Sequence, residues 1–382
     1  LVSNGWVTDM ANGSAHTEPA PKVFKTLQSD LLRGDFFSSV KREFNELKEF
    51  MLDEQRKKRL NEMGWLKRLL YTAWWLLKSM VLKLTPARRL LLVLGIVLVV
   101  TSHTVTYDSG DGVRVENDTG VLGPVCILFV LMLELKDKLV AHKELEAGRA
   151  VQQALMPERT PDIKGWRPWL FTRSANEVGG DLIDFIRIDD GRVGIALGDV
   201  AGKGLPAALL MAKLQASLRA LLHDTTSLSE LGEKLNRVFF RDSLRSIFSS
   251  LVYTELQPNS GSVRLLNAGH LPPVIVRRTG TETMPKGGPA LGIMPESRYT
   301  DLAVTLQKDD LFCIFSDGVT EQQNAVGEFF GERRLVEQLV ALTGLPVEQI
   351  GERLVARVDG FAGTAQRHDD LSIVLIKRTE ES

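Results

Sequence analysis

RVGIALGDVAGKGLPAALLMAKLQASLRALL, residues 192–222, changes texture twice. The apolar, β-branched run at its start reads as a strand over 192–198. GDVAGKG follows, with Asp199 at the strand end among glycines that let backbone turn tightly. From Leu205 the run LPAALLMAKLQASLRALL reads as a helix over 205–222, apolar enough to belong mostly to the core. Outward from this unit, β-type runs recur at 181–188, 248–256, 262–267, 273–277, 301–306, 311–315 and 371–377. Helical stretches lie at 228–243, 332–342 and 346–361. Strands dominate and helices come in adjacent pairs, which predicts an α+β layered domain rather than a doubly wound one.

The strand-end acid of GDVAGKG has counterparts. Asp181 follows Gly179 and Gly180, Asp317 stands in FSDGVTE after the apolar run LFCIF, and Asp369 and Asp370 precede LSIVLIK. An acid at a strand end can project into a shared cleft while its strand stays in the core. Any one of these motifs read alone is a turn, because Asp beside Gly is first a turn signature. Read together, carboxylates that share a cleft repel one another and need a cation, and an all-oxygen set suits Mg²⁺ or Mn²⁺. No His/Cys cluster favours zinc. The two cysteines, Cys126 and Cys313, lie far apart inside apolar runs and form neither a metal spacing nor a disulfide framework.

The ordered set NEVGGDLIDF (176–185), ALGDVAGKGLPAALLMA (196–212), NAGHLPP (267–273), ALGI (290–293), FSDGVTE (315–321) and DDLSIVLIK (369–377) closely resembles the bacterial SpoIIE/RsbU branch of the PPM-type (PP2C-like) serine/threonine phosphatases. AVQQALMP (150–157) is similar to the segment that precedes the domain in that branch. The resemblance covers about residues 145–378. It implies a PP2C-like β-sandwich flanked by helices, with two divalent cations, Mn²⁺ or Mg²⁺, at one end. It further implies that Asp181 binds one metal, Asp199 bridges both, the Val200 carbonyl joins the first, and Asp317 and Asp369 bind the second, with Asp370 as the fallback. A metal-bridged hydroxide would then attack phosphoserine or phosphothreonine directly. Typical substrates in the branch are phosphorylated STAS-type anti-sigma-factor antagonists, and the helices corresponding to the stretch after Asp199 switch position to complete the metal site.

This chain departs from the wider family twice. Ala201 stands where eukaryotic members carry a histidine acid, and the nearest upstream arginine for holding phosphate is Arg173, at a different spacing. Lys203 reads as an electrostatic aid or as a solvated lysine. His270, among Gly269, Pro272 and Pro273, reads as part of a turn that fixes a strand entry. Glu177 and Asp184 flank GGD, where they would support the first metal or cap turns.

The remaining sequence is N-terminal to this domain, which is expected to run over 157–379. Residues 1–35 read as a disordered tail, and no signal-peptide pattern is visible at the start. A helical region follows over 36–84. It is charged over 36–63 and amphipathic over 65–84, where Lys67, Arg68, Lys78 and Lys83 share a face beside Trp65, Trp74 and Leu77. That pattern suits a helix in a membrane interface or one packed on a protein core. Two apolar runs, 90–100 and 121–133, are shorter than the ~20 residues of a spanning helix. Arg88, Arg89, Lys136 and Lys138 flank their outer ends, the charge pattern of a transmembrane hairpin over 88–135 with both ends cytoplasmic; buried elements of a soluble sensor domain are the alternative. A linker helix over 136–156 would connect it to the catalytic domain and offers a homodimer contact.

With 382 residues and a net charge of −1, the chain lacks the basic field that nucleic-acid binding needs. The combined expectation is a multi-pass cell-membrane phosphoprotein phosphatase with its catalytic domain in the cytoplasm. A non-catalytic scaffold with a phosphatase-like fold, or a phosphohydrolase of small phosphate esters, stands as the alternative.

Overall fold

The computed structural model describes residues 59–60, 63–101, 105–109, 113–117, 120–157, 162–189, 191–242, 248–258 and 260–379. The expected tail at 1–35 and nearly all of the charged segment 36–63 lie outside the described residues. The chain divides into two compact units, Leu1–Lys136 and Asp137–Ser382.

In the first unit, α1 (Trp65–Lys83) and α2 (Pro86–Thr101) are joined by a short turn. The Arg89 guanidinium donates to the carbonyls of Val81 (3.2 Å), Leu82 (2.9 Å) and Leu84 (3.1 Å), satisfying acceptors that α1 leaves open at its C-terminus. A hairpin of β1 (Val105–Ser109) and β2 (Val113–Asn117) occupies the polar stretch after α2. α3 (Leu122–Leu155) then runs unbroken through both the second apolar run and the expected linker. The sequence explains this continuity, since no proline falls between Pro124, in the first turn, and Pro157. α2 and α3 cross closely at two glycines. A Cβ on Gly123 would lie 2.7 Å from the Gly95 carbonyl oxygen, which leaves no room for a side chain there, and one on Gly95 would stand a tight 3.0 Å from Ile127 Cγ1.

The second unit is a four-layer sandwich. One antiparallel sheet has the order β10 (Leu302–Thr305), β7 (Ser262–Ala268), β6 (Ser249–Leu256), β5 (Arg192–Val200), β4 (Leu182–Asp189). The other has the order β3 (Trp166–Arg173), β12 (Leu371–Arg378), β11 (Leu311–Phe315), β8 (Val274–Arg277), β9 (Gly280–Thr283). Period-two alternation sorts their side chains. On β5, Val193, Ile195 and Leu197 point between the sheets, where they meet Phe312, Ile314, Val374 and Ile376. The alternate residues Ala196 and Val200 face α4 (Leu205–Leu222) and α5 (Leu228–Asp242). On the other sheet Leu311, Cys313 and Phe315 face α7 (Gly331–Leu342) and α8 (Val347–Ala362), with the one-turn α6 (Asp317–Thr320) between. Covered on both faces, the central strands read as continuous apolar runs.

α4 is the single helix among the described residues that is long and apolar enough to span a membrane by length and composition. It instead buries Met211, Leu214, Leu218 and Leu222 against the first sheet, each such side chain contributing about 1.5–3 kcal/mol. Besides the β1–β2 hairpin, which falls in a stretch read as a polar connection, two strands of the second unit were not expected. β3 is an edge strand whose Pro168 and arginines disguise it, although edge position tolerates the missing proline donor. β9 is exposed along its whole length and carries no apolar signal.

Candidate metal centre

The acidic strand ends gather at one end of the sandwich, around a cleft of about 610 Å³ lined by Asp199, Asp317 and Asp369, with the Val200, Gly202 and Lys203 turn on its wall. Asp199 lies near the end of β5 opposite Ser250 of β6, and its backbone carbonyl accepts from the Ser249 hydroxyl at 3.0 Å. Asp317 begins α6 directly after β11. Asp369 precedes β12; Lys203 Nζ lies 3.4 Å from its Oδ2 and also donates to the His368 carbonyl.

Asp181 lies beneath the cleft rather than on its wall. It is buried, and its Oδ2 has no hydrogen-bond partner. Gly180 makes room beside it, since a Cβ there would stand 3.0 Å from the Val200 carbonyl oxygen and 3.8 Å from Asp199 Oδ1. The loop is held by Asp370, whose carboxylate accepts backbone N–H groups from Ala175 (2.8 Å), Gly180 (2.6 Å) and Asp181 (3.3 Å). Asp370 is thus engaged with the GGD loop and does not line the cleft, whereas Asp369 does. Gln152 of α3 closes the same loop, pairing with the Gly179 carbonyl (2.7 Å) and N–H (3.1 Å).

The electrostatics follow from crowding like charges in a poorly solvated place. Burial first, then Asp317, Asp369 and Asp370, push the Asp199 carboxyl up to about 7; Lys203 opposes this. Burial, with Asp199 next, raises Asp181 well above the carboxylate range. Asp317 is raised by burial, then by Asp369 and Glu321. Among the described residues no three His, Cys, Asp or Glu side chains converge closely enough to hold an ion as they stand. The donor set nonetheless fits hard divalent cations: oxygens only, one of them orphaned and buried, mutually repelling, with a carbonyl that a glycine leaves accessible.

The other residues singled out from the sequence have different partners. Arg173 forms a bidentate pair with Asp359 (3.1 and 2.6 Å) away from the cleft, holding the Asp359 carboxyl low. Asp184 is fully buried in a bidentate pair with Arg219 of α4 (2.8 and 2.6 Å). Glu177 sits at the surface within 4 Å of His142 and Arg149 of α3. His270 is buried at the cleft between Ser250 and the Phe315 carbonyl. Sequence reasoning missed Gln152, Ser250, Phe248 and Lys286; the last three line the cleft, and only Lys286, beside Gly287 and Gly288, carries a glycine signal that could have found it.

The model of the family Stage II sporulation protein E (SpoIIE) matches residues 189–379. The match contains Asp199, Asp317 and Asp369 and begins at the last residue of β4, so it leaves out Asp181. Protein IcfG of Synechocystis sp. is 28% identical over 300 residues, covering 69% of this chain and 46% of IcfG. Phosphoserine phosphatase RsbU of Bacillus subtilis is 28% identical over 242 residues, covering 62% of this chain and 70% of RsbU. The chain thus spans less than half the length of IcfG. Among solved structures, the SiaA-PP2C domain of Pseudomonas aeruginosa superposes with a TM-score of 0.55 at 18% identity, over 64% of this chain and 99% of that domain. The RsbU and RsbW domains of a Mycobacterium tuberculosis protein give a TM-score of 0.50 at 21% identity, over 58% of this chain and 62% of theirs. These likenesses show the PP2C fold, and the family match covers half of the chain, from β5 to the end of β12; the chain belongs to the SpoIIE family.

Proposed function

We propose that this chain is a metal-dependent protein phosphatase that hydrolyses phosphoserine or phosphothreonine on a regulatory protein partner. The observation that carries the reading is the set of mutually destabilised carboxylates, Asp181, Asp199, Asp317 and Asp369, at the end of a PP2C-type sandwich. Asp181 and Asp199, with the Val200 carbonyl, would hold one divalent cation, and Asp199, Asp317 and Asp369 a second. Bound Mn²⁺ or Mg²⁺ would neutralise phosphate charge and acidify an attacking water. The chain's own residues then do the rest. Asp370 and Gln152 hold the loop that presents Asp181. Lys203, tied to Asp369 and the His368 carbonyl, keeps positive charge at the cleft wall. With Ala201 at the position of the eukaryotic histidine, the leaving serine would take its proton from water.

The relatives named phosphoserine phosphatases RsbU and RsbP support a phosphoprotein substrate, and a STAS-type antagonist is the class to try first. We also propose that the α2–α3 hairpin anchors the protein in the cell membrane, with the catalytic domain cytoplasmic. α2 has 16 residues, about 24 Å of helix, so it would need flanking residues to reach across ~30 Å. Leu90, Val100, Val121 and Leu128 are exposed, and the glycine crossing of α2 and α3 suits helix packing in lipid. The part of α3 that turns away from Gln152 and the GGD loop is exposed, Leu135, Leu139 and Val151 included, and offers a surface for a homodimer.

The test is phosphate release from a phosphoserine STAS-type protein, a phosphopeptide, a nucleotide and p-nitrophenyl phosphate, with and without Mn²⁺. Metal-dependent turnover of the phosphoprotein that Asp199→Ala abolishes supports the reading. Equal rates for both proteins would remove it in favour of a non-catalytic scaffold. A preference for nucleotides or small esters would replace the substrate class.

A further inference from the structure

His270 enters the cleft without belonging to its acidic set. Its backbone is fixed on both sides by one residue: its N–H donates to Asn267 Oδ1 (2.9 Å), and its carbonyl accepts from Asn267 Nδ2 (3.2 Å). Gly269 precedes it at φ 69°, where a Cβ would lie 2.4 Å from the Ala290 nitrogen, so the turn admits only glycine. The NAGH cassette therefore delivers one imidazole in one orientation.

That imidazole has two partners, one from each sheet. Nδ1 lies 2.7 Å from the Ser250 hydroxyl of β6, and Nε2 lies 3.2 Å from the Phe315 carbonyl at the end of β11. A carbonyl only accepts, so Nε2 carries the proton and Nδ1 accepts from Ser250. Ser250 is the register partner of Asp199, and Phe315 stands two residues before Asp317. The ring therefore spans the gap between β6, the strand paired with the one that carries Asp199, and β11, the strand that leads to Asp317. Burial also holds its pKa down to about 4, so the ring stays uncharged at neutral pH.

We propose that His270 is a positioning residue: by bridging Ser250 and the Phe315 carbonyl across the two sheets, it sets the distance between Asp199 and Asp317 and hence the fit of the divalent cation they share. This rests on the metal-dependent reading above. Partners that orient a ligand's own surroundings typically affect metal affinity 10–100-fold.

The experiment measures Mn²⁺ binding by calorimetry, together with kcat, KM, the pH–rate profile and melting temperature, for wild type, His270→Ala, His270→Gln and Ser250→Ala. A glutamine amide presents a donor and an acceptor at similar spacing to the imidazole. His270→Ala is expected to weaken Mn²⁺ binding about 10-fold without changing the shape of the pH profile. His270→Gln should restore most of that binding, and Ser250→Ala should lose about half as much in free energy. Should His270→Ala fail to fold, the glutamine and Ser250 variants carry the comparison. Wild-type Mn²⁺ affinity in His270→Ala would overturn the proposal. So would a His270→Gln variant that binds Mn²⁺ normally yet loses a limb of its pH profile, because the ring would then act in the chemistry itself. Absence of Mn²⁺ binding in the wild type would instead count against the proposed function.

Discussion

Replacing Asp199 by Asn should stabilise the metal-free protein while abolishing its activity. The Asp199 carboxyl is raised from 3.8 to about 7, chiefly by burial and then by Asp317, Asp369 and Asp370. A pKa unit corresponds to about 1.4 kcal/mol, so a shift of about three units bounds the penalty near 4 kcal/mol. The asparagine replaces part of the lost polar contact, so about 2–4 kcal/mol is the working range. The sign follows from linkage. Because the folded pKa lies above the unfolded one, there is no penalty below about pH 4; it grows as pH rises towards 7 and is complete above that. Thermal melts in EDTA at pH 8 should therefore place Asp199→Asn about 5–15 °C above wild type, at the 2–4 °C per kcal/mol usual for a domain of this size. At pH 4.5 the gap should narrow to a few degrees. Adding Mn²⁺ at pH 8 should raise the wild type alone, since only a protein that binds the ion gains from it. An Asp199→Asn variant that melts at or below wild type in EDTA at pH 8 would refute the idea that these carboxylates are held together against their own repulsion.

Asp370→Ala should behave oppositely to Asp199→Asn: it strands three backbone N–H groups, each worth about 1–3 kcal/mol, and its melting temperature in EDTA should fall. Arg173→Ala should leave KM for a phosphopeptide within about twofold of wild type, because its guanidinium is committed to Asp359; its cost should show as a lower melting temperature, of the 3–5 kcal/mol order for breaking a half-buried pair at most. Lys286→Gln should raise KM about threefold or more with kcat little changed, since its exposed ammonium lines the cleft mouth and a dianionic phosphate loses one attractive charge. Gly123→Leu should separate α2 from α3, where a Cβ has no space; on the proposed reading of this hairpin as a membrane anchor, the variant should recover less in the membrane fraction than wild type.

The acidic strand ends were legible because two requirements coincide in sequence: an apolar run long enough to be a strand, and an acid beside a turn residue where that run stops. The same logic located nearly every central strand, since strands buried on both faces write themselves as apolar runs. It failed on the β1–β2 hairpin and on the edge strands β3, interrupted by Pro168 and two arginines, and β9, which is exposed along its length and carries Thr and Glu. It also could not see Ser250 or Gln152. Their importance comes from what stands opposite them, Asp199 in the neighbouring strand and the Gly179 backbone across the fold, and a partner distant in sequence leaves no local mark.

The pair Asp369–Asp370 shows where the boundary falls. Two adjacent acids before a strand are chemically interchangeable in sequence, and only their partners in the fold tell them apart. Gly180 N–H takes Asp370 at 2.6 Å, while Asp369 lines the cleft with Asp199 and Asp317. The GGD loop thus does two jobs: it delivers Asp181 beneath the cleft, and by capturing Asp370 it leaves Asp369 as the one of the pair that lines the cleft, the residue to which the proposed function gives the cation. Asp370→Asn, which keeps an acceptor, should therefore retain Mn²⁺-dependent turnover within about tenfold, whereas Asp369→Asn should lose 10²–10³-fold or more, the scale seen when a charge-stabilising group is removed from a catalytic centre. The reverse ranking, with Asp370→Asn the more damaging in turnover at equal melting temperature, would mean that the captured carboxylate is itself the ligand and that the loop is held by the metal rather than by Asp370.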